Sequence, residues 1–301
     1  MNVSVTGATG FVGQNLVPFL NKKDVKTYAL GRQDMSGDFI FSKDIQAIVH
    51  LAGKAHDLKQ TSDSSEYYTV NFELTKKLYD AFLKSDAKKF IFISSVKAAA
   101  DSVEGILQED VIPSPITDYG KSKLMAEAYI QAQLLPPGKS FYILRPSMIH
   151  GAGNKGNLNL LYQFVKKGIP YPLVAFENRR SFLTVTNLCF VINEIIHQHK
   201  IPSGIYNVAD DDALSTVEVV GILAKSMGKK PSFLKLPKQI ISAIARLGSI
   251  LKLPLNSERL GKLTENYVVS NQKITSALKV NLPLAARDGL LETARSLQNH
   301  R

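Results

Sequence analysis

The sequence has no tryptophan and only one cysteine, Cys189, in 301 residues. A single cysteine excludes an internal disulfide framework and fits a reducing compartment, so we expect a cytoplasmic protein. The apolar neighbours Leu188 and Phe190 favour an inert thiol in the core. No apolar run reaches the roughly 18 residues that a membrane span needs, and the chain enters a β-type run at once. We therefore predict neither a transmembrane segment nor a secretory signal.

Metal-binding spacings and nucleic-acid motifs are also missing. Of the six histidines, His197 and His199 are two residues apart and would face different sides of any helix, so no metal site is predicted. The net charge of +11 suits an anionic partner, but the lysine pairs lack interleaved aromatic residues. A nucleotide-like substrate explains this charge better than DNA or RNA, and we expect no nucleic-acid partner.

A strand, a turn and a helix are predicted at the N-terminus. Val3 and Val5 give a β-type run, and glycines follow at Gly7, Gly10 and Gly13 before an apolar pattern with helical spacing. Glycine lets the backbone turn sharply and come close to a pyrophosphate, whose negative charge the helix N-terminus attracts. This stretch therefore predicts the phosphate site of a dinucleotide.

Alternation of β-type and helical patterns predicts the fold. The β-type runs lie at 25–30, 47–51, 89–94 and 140–145, and the helical patterns lie at 11–23, 67–84 and 119–133. Such alternation is typical of an α/β fold with a Rossmann-like, doubly wound parallel sheet. After about residue 150 it breaks. We therefore expect a dinucleotide-binding domain at 1–150 and, at 151–301, mainly a smaller, discontinuous substrate lobe, with part of the chain returning to the sheet.

The region after the second predicted strand is unusual in length and in charge. Only fourteen residues separate Arg32 from Ala47, so one strand or helix of the ordinary layout should be truncated there. Arg32 can pair with a 2′-phosphate, which favours NADP(H). The alternative is that Asp34 supplies the carboxylate that NAD(H) sites use for the ribose.

Two clusters predict chemistry at the carboxyl edge of the sheet. A buried-type strand ends in Ser94 and Ser95, and Tyr119 and Lys123 are four residues apart on one face of a predicted helix. The Lys123 ammonium should lower the pKa of the Tyr119 phenol from ~10, so that the phenol can act as an acid or base near neutral pH. A serine hydroxyl can hydrogen-bond the substrate oxygen that exchanges this proton. This arrangement predicts interconversion of an alcohol and a ketone with hydride transfer to or from a nicotinamide.

The motifs occur in the order of a known family. They are Thr-Gly-x-x-Gly-x-x-Gly at 6–13, His50-Leu-Ala-Gly53, Asn71 in Val-Asn-Phe-Glu-Leu-Thr, Ser94-Ser95, Tyr119-Gly-Lys-Ser-Lys123 and Leu144-Arg-Pro-Ser-Met-Ile-His-Gly151. Over nearly its whole length the chain resembles an extended short-chain dehydrogenase/reductase of the NAD-dependent epimerase/dehydratase group. The resemblance implies an enzyme that uses NADP(H) or NAD(H) and acts on a nucleotide-linked sugar.

The resemblance also implies the roles of individual residues. The catalytic residues would be Ser95, Tyr119 as acid/base, Lys123, and Asn71 in support. The cofactor-binding residues would be Gly7, Thr9, Gly10, Phe11, Val12, Gly13, Arg32, Leu51, Ala52, Gly53, Ser94, Tyr119, Lys123, Pro146, Ser147 and Ile149. The substrate would contact Ser95, Lys97, Asn157 and Arg180. Guanidinium geometry suits a diphosphate, although the adjacent Arg179 is an alternative ligand.

Several departures and alternatives bear on the reaction. Lys97-Ala-Ala-Ala100 replaces the usual Val-Tyr-Gly, His150 replaces a tyrosine, and Asn187 replaces an aspartate. We expect an epimerase or reductase acting at sugar carbon 4. The alternatives are an NADPH-dependent 4-ketoreductase of a UDP- or dTDP-deoxysugar, which Arg32 favours, and a non-catalytic NAD(P)-sensing module. A sensing module should have lost a catalytic residue, and none is lost.

The apolar segment 235–255 carries Lys238, Arg246 and Lys252. It either rests on an acidic membrane surface or forms a helix packed on the substrate lobe, and we expect the packed helix. The sequence leaves the oligomeric state open, a homodimer included.

Overall fold

Strands and helices alternate along the first half of the chain. The computed structural model describes residues 1–35, 37, 39–54, 63–154, 157–251 and 256–299, apart from the side chains of residues 157, 258, 259, 262 and 299. The strands are β1 (Asn2–Thr6), β2 (Lys26–Leu30), β3 (Ala47–His50), β4 (Lys89–Ile93), β5 (Ile106–Leu107), β6 (Ser140–Pro146), β7 (Met148–His150), β8 (Arg180–Thr184), β9 (Gly204–Val208), β10 (Ala213–Leu214) and β11 (Val268–Val269).

The helices come between and after these strands. They are α1 (Phe11–Asn21), α2 (Ser64–Tyr67), a π-helical turn (Tyr68–Glu73), α3 (Leu74–Lys84), a 3-10 turn (Val96–Ala98), α4 (Asp118–Ala132), α5 (Asn157–Lys166), α6 (Val185–His197), α7 (Thr216–Ser226), α8 (Lys238–Ile250), α9 (Ser257–Thr264), α10 (Gln272–Leu278) and α11 (Ala286–Asn299). None of the helices in the described ranges is both long and apolar enough to cross a membrane.

A parallel sheet in the order β2-β1-β3-β4-β6-β9 joins six of these strands. Strand β4 is buried along its whole length, and its residues alternate between two cores. Phe90 and Phe92 pack with α3 and α4 on one side. Ile91 and Ile93 pack with α1 and α6 on the other. The predicted Rossmann-like sheet with helices on both faces is confirmed.

The crossover from β2 to β3 is shortened, as the small number of residues between Arg32 and Ala47 predicted. In the described part of 31–46 the chain forms neither helix nor strand. Instead, Met35, Phe41 and Ile45 are buried in the core beside α3. Three apolar side chains thus cover the area that a crossover helix would otherwise cover.

The second half of the chain divides between two regions. Helices α5, α7, α8 and α11 form a separate core with residues of β8, such as Phe182. In contrast, β9 completes the six-stranded sheet, and α6 and α10 pack beside it. We propose that 1–150 form the cofactor unit and that 151–301 form mainly the substrate lobe.

Helix α8 accounts for most of the apolar segment 235–255. Its side chains Ile241 and Ala245 are buried in the core of the lobe. The helix therefore packs on the lobe, as expected. Lys252 lies outside the described residues.

Candidate active site

The predicted site residues follow four neighbouring strands of the parallel sheet. The glycine turn follows β1, residues 51–54 follow β3, Ser94 and Ser95 follow β4, and 147–151 follow β6. Because the strands are parallel, all four segments lie at the carboxyl edge, where such sheets bind ligands. Helix α4 adds Tyr119 and Lys123 to this edge.

The turn after β1 is shaped by close backbone approach. Gly7 has a φ of +68°, and a Cβ there would lie 2.7 Å from Ala52 N. A Cβ on Gly13 would overlap Gly7 O and Ala8 Cα. Gly10 N donates to Gly7 O at 3.0 Å and closes the turn. Side chains at Gly7 and Gly13 would therefore force the turn apart.

The N-terminus of α1 fits an anion. Gly10 caps the helix in an extended conformation, and within the described chain no side chain caps it and no acidic residue lies in its first turn. The first N–H groups of the helix, which include those of Phe11 and Val12, are thus available to a phosphate, next to exposed Thr9. This cradle fits the pyrophosphate of a dinucleotide.

Gly53 lets two site residues approach the segment after β3. A Cβ there would lie 3.0 Å from Asn71 Oδ1 and 3.0 Å from Lys123 Nζ. Ala52 N donates to Thr6 Oγ1 at 3.1 Å, which holds the segment against β1. Leu51 is half-buried and packs against the core beside α1. The segment 51–53 therefore lies between the phosphate cradle and Lys123.

Asn71 lies in the π-helical turn and is fully buried. Its Oδ1 accepts from Lys54 N at 2.8 Å, and its Nδ2 donates to Lys54 O at 3.2 Å and to Ser122 Oγ at 3.0 Å. The side chain thus ties the segment after β3 to α4. The sequence pattern at 67–84 predicted a helix but not this π turn, a feature that often marks functional sites.

A buried histidine links β1 to the π turn. Thr6 Oγ1 lies 2.7 Å from His50 Nδ1, His50 Nε2 lies 2.9 Å from Thr75 Oγ1, and Thr75 Oγ1 donates to Asn71 O at 2.7 Å. Since Thr75 donates onward, its oxygen accepts from His50 Nε2–H, and Thr6 donates to Nδ1. Burial, assisted by the positive charge of Lys123, lowers the pKa of His50 to about 3. His50 is therefore neutral with its proton on Nε2.

Tyr119 lies in the first turn of α4, whose N-cap Thr117 accepts from Gly120 N at 3.2 Å. The Tyr67 ring packs edge-on against it, with centroids 6.1 Å apart. Burial raises the pKa of Tyr119, and a hydrogen bond with Ser95 lowers it by less. Ser95 itself is 9% exposed and accepts from Lys97 N at 3.2 Å. The structure therefore brings the Ser95 and Tyr119 hydroxyls together.

The expectation that the Tyr119 pKa is lowered by Lys123 is wrong, because burial raises that pKa. Lys123 Nζ donates to Ile93 O at 2.9 Å and lies 4.8 Å from the centroid of the Phe92 ring. The cost of burying a phenolate outweighs the opposing effects, so the phenol keeps its proton. Burial also lowers the pKa of Lys123 to about 8, against the opposing charge of Glu127.

Glu127 and Arg145 are two functional candidates that sequence reasoning missed. Both are buried, and Arg145 Nε donates to Glu127 Oε1 and Oε2 at 3.0 and 3.1 Å. Ser94 Oγ also donates to Glu127, so the hydroxyl of this predicted cofactor residue is already engaged. Glu127 is four residues after Lys123 on the same helix face. This spacing is the sequence signal from which Glu127 could have been predicted.

The segment after β6 offers a polar atom without a partner. Ser147 N donates to Val208 O at 2.9 Å. Its Oγ is buried and, among the described residues, has no hydrogen-bond partner. Pro146 ends β6, and Ile149 packs against the core beside α1. A ligand at this edge would satisfy the Ser147 hydroxyl.

The turn after β2 holds the two residues proposed to select the cofactor. Arg32 is exposed there. Asp34 Oδ2 accepts from Gly31 N at 2.7 Å, so this carboxylate is partly engaged by the backbone. Both residues are placed near the end of β2, where the adenosine ribose lies in dinucleotide sites.

On the substrate side the two adjacent arginines point to different partners. Arg180 Nη2 pairs with Glu265 at 3.1 Å, and Arg180 bridges to Tyr267 in a parallel β-bridge. Tyr267 in turn donates to Ala100 O at 2.6 Å, in the segment that follows Ser95. Arg179 Nη1 instead donates to Ala213 O at 2.9 Å. Arg180 is therefore the arginine on the side of Ser95.

Two further substrate candidates were predicted. Lys97 Nζ donates to Asp101 O at 2.7 Å and lies 4.3 Å from the centroid of the Tyr267 ring. Lys97 thus lies between Ser95 and the lobe. Asn157 begins α5, but its side chain lies outside the described residues.

Comparison with known proteins identifies similar chains. A family model described as "NAD dependent epimerase/dehydratase family" matches residues 3–209. A UDP-glucose 4-epimerase of Vibrio cholerae is 29% identical over 98% of this chain and 95% of its own length. An N-acetyl-alpha-D-glucosaminyl-diphospho-ditrans,octacis-undecaprenol 4-epimerase of Escherichia coli O157:H7 is 29% identical over 78% of this chain and 75% of its own length.

Among solved structures, RMD from Pseudomonas aeruginosa complexed with NADPH superimposes with a TM-score of 0.76. It covers 100% of this chain and 99% of its own, at 20% sequence identity. At that identity the likeness concerns the fold alone, and it agrees with the parallel sheet described above.

Proposed function

Since this chain belongs to the NAD-dependent epimerase/dehydratase family, and is thus an enzyme of the extended short-chain dehydrogenase/reductase type, we propose that it epimerises carbon 4 of a nucleotide-linked sugar. The observation that carries the proposal is the pairing of the Ser95 and Tyr119 hydroxyls at the carboxyl edge of the sheet, beside buried Lys123. The relative from Vibrio cholerae, a UDP-glucose 4-epimerase, supports the choice of reaction.

The chain's own residues fit a bound dinucleotide. Gly7, Gly10 and Gly13 clear space for its pyrophosphate at the N-terminus of α1, and Ser147 Oγ offers an unused hydroxyl. When bound, a nicotinamide supplies hydride acceptor and donor chemistry. Gly53 leaves room for Lys123 Nζ beside that space, and Asn71 bonds Ser122, the residue before Lys123.

Proton transfer falls to Tyr119. Its raised pKa keeps the phenol protonated in the free enzyme, which suits donation of a proton to a ketone oxygen. Acceptance of a proton from a sugar hydroxyl needs the phenolate, which the Ser95 hydrogen bond favours. Ser95 would orient the same sugar oxygen, so both directions of transfer use one pair of hydroxyls.

Arg180 is the proposed ligand of the substrate diphosphate. A guanidinium pairs well with phosphate oxygens, and Arg180 lies on the side of the site that Tyr267 joins to the segment after Ser95. The name of the relative from Escherichia coli O157:H7 describes a substrate whose sugar is attached to undecaprenol through a diphosphate. A diphosphate, the group that Arg180 would bind, is present in both kinds of substrate. Of the two, we propose the nucleotide-linked sugar.

A 4-ketoreductase is the second candidate, and Arg32 favours it. Asp34 is partly engaged by Gly31 N, whereas Arg32 is exposed at the end of β2. A site that selects NADPH draws on a reducing pool, which benefits a reductase rather than an enzyme that recycles its cofactor. Replacing Arg32 with alanine should weaken NADPH binding more than NADH binding, measured by titration of cofactor fluorescence.

One experiment separates the two reactions. UDP-sugars and their 4-keto forms are incubated with the enzyme, and the sugar products and NAD(P)H absorbance are followed together. A 4-epimer formed without net loss of absorbance supports the epimerase, while stoichiometric NADPH consumption supports the reductase. Tyr119→Phe should abolish either reaction and spare cofactor binding, with Tyr67→Phe as the matched control. Full turnover by Tyr119→Phe would refute the assigned mechanism.

A further inference from the structure

Helix α8 has two apolar stripes, and only one is covered. The buried stripe consists of Ile241, Ala245 and Gly248, which face the core of the lobe. The second stripe, which we call the outer stripe, has spacings of four, three and four residues, so its members share one helix face. Its members are Ile240, Ile244 and Leu247 of the helix and its C-cap residue Leu251, with exposed fractions of 48%, 48%, 54% and 58%.

Further apolar side chains are exposed on the elements next to α8. Phe233 and Leu234, just before the helix, are 36% and 46% exposed. Helix α9 packs against α8, where Ser257 N donates to Ser249 Oγ at 3.0 Å, and carries Leu263 at 45% exposure. Exposed apolar groups concentrated on one helix pair indicate a contact surface rather than scattered surface residues.

The charge of this region has a single sign. Between Glu218 and Glu258 the sequence contains no acidic residue and seven basic ones, which are Lys225, Lys229, Lys230, Lys235, Lys238, Arg246 and Lys252. Lys235, Lys238 and Arg246 are exposed. On α8 itself, Lys238 and Arg246 lie roughly 100–180° around the helix from the members of the outer stripe. Lys238 Nζ lies 5.9 Å from the centroid of the Phe176 ring.

We propose that the outer stripe and these basic residues dock the enzyme on an anionic lipid bilayer surface. An exposed apolar stripe in a region that is basic and has no acidic residue between Glu218 and Glu258 is suited to the headgroup region, where apolar burial and attraction to anionic lipids add. The same face of a second copy would bring like charges together, which argues against self-association. Helix α8 has 13 residues and is half-buried in the lobe, so it lies on the surface and does not span it.

The docking surface is joined to the proposed substrate site, and in this respect the inference rests on the proposed function. Helix α9 contacts α8 and ends just before Glu265, whose carboxylate pairs with Arg180. One lobe thus carries both the membrane surface and the candidate diphosphate ligand. A sugar diphosphate held on a lipid would be presented at the interface where α8 docks.

Vesicle flotation of the full-length enzyme tests the docking surface. We expect it to float with phosphatidylcholine vesicles that contain phosphatidylglycerol, and to float much less with pure phosphatidylcholine. Ile244→Asp/Leu247→Asp should lower the bound fraction at least about tenfold, because the stripe loses its apolar contact. Lys238→Glu/Arg246→Glu should lower it by roughly tenfold or more. Leu134→Asp, at a site 95% exposed outside the lobe helices, is the matched control and should float normally.

The outcomes distinguish docking from catalysis. All these variants should epimerise or reduce a water-soluble nucleotide sugar at the normal rate, since none lies in the site. Absence of flotation with normal activity overturns the docking surface and leaves the proposed function standing. Equal binding of the double aspartate variant and the parent protein also overturns it. If light scattering shows a dimer that this variant dissociates, and no vesicle binding, the stripe is a subunit interface and the proposal is wrong.

Discussion

Glu127 lies four residues after Lys123 on the buried face of α4, and its negative charge opposes the loss of the Lys123 proton. Burial lowers the Lys123 pKa and the charge of Glu127 raises it by less, so that the resulting pKa is about 8. Glu127 in turn accepts three hydrogen bonds from Arg145 and one from Ser94. A carboxylate bonded to Arg145 and Ser94 thus helps to keep the candidate catalytic lysine charged.

This relationship predicts the alkaline limb of the pH–rate profile. Activity that needs the Lys123 ammonium should fall as the pH rises through about 8. Glu127→Gln removes the charge that raises the Lys123 pKa, so the fall should move to lower pH. Lys123→Arg keeps its charge throughout, and its residual activity should not fall in this range.

The measurement is initial rate against pH at saturating cofactor and substrate. Because Glu127→Gln leaves Arg145 without its carboxylate, circular dichroism should first show that the variant is folded. A folded Glu127→Gln enzyme with an unshifted alkaline limb would contradict the assigned role of Glu127.

The phosphate cradle predicts a second result. Gly13→Ala should abolish dinucleotide binding, because the added Cβ would overlap Gly7 O and Ala8 Cα. Gly221→Ala, in α7, is the matched control, since nothing lies within 4 Å of its added Cβ. Calorimetric titration with NADPH and NADH gives the affinities. Normal affinity of Gly13→Ala for both cofactors would show that the pyrophosphate binds elsewhere.

Much of this arrangement could be predicted from local pattern. The spacing of Gly7, Gly10 and Gly13 fixed the turn, and the alternation of strands and helices fixed the sheet, because both depend on short-range backbone geometry. The four-residue spacing put Tyr119 and Lys123 on one helix. Even the shortened crossover followed from counting the residues between Arg32 and Ala47.

What could not be predicted depends on three-dimensional packing. Whether the Tyr119 pKa rises or falls depends on how far its hydroxyl is buried and on which charges lie near it. The four-residue spacing to Lys123 gives neither quantity. The π turn at Asn71 shifts backbone hydrogen bonds without changing the apolar pattern. The resemblance implied Arg180 with Arg179 as an alternative, and the sequence contains no sign of their different partners, Glu265 and Ala213 O, on which our preference for Arg180 now rests.

That choice predicts opposite results for two neighbouring substitutions. Arg180→Ala should raise the KM for the sugar diphosphate by about tenfold or more with cofactor affinity unchanged, since a charge-assisted contact contributes about 1.5–3 kcal/mol. Arg179→Ala, which loses a bond to Ala213 O, should leave KM close to normal. Steady-state kinetics of the two variants decide the matter. A larger effect from Arg179→Ala would reassign the ligand.

Buried, neutral His50 predicts how stability depends on pH. In the unfolded chain its pKa is near 6.5, and in the folded chain burial lowers its pKa to about 3. The unfolded state therefore binds the proton first, so stability is full above about pH 6.5 and is lost as the pH falls towards 3. Urea unfolding at a series of pH values measures how the free energy of unfolding changes with pH.

His50→Gln should flatten this pH dependence. It should also lower stability at neutral pH, because the link from Thr6 to Thr75 is disturbed. His197→Gln, at an exposed site at the end of α6, should leave the slope unchanged, and an equal slope in the His50→Gln protein would show that other groups control the acid limb.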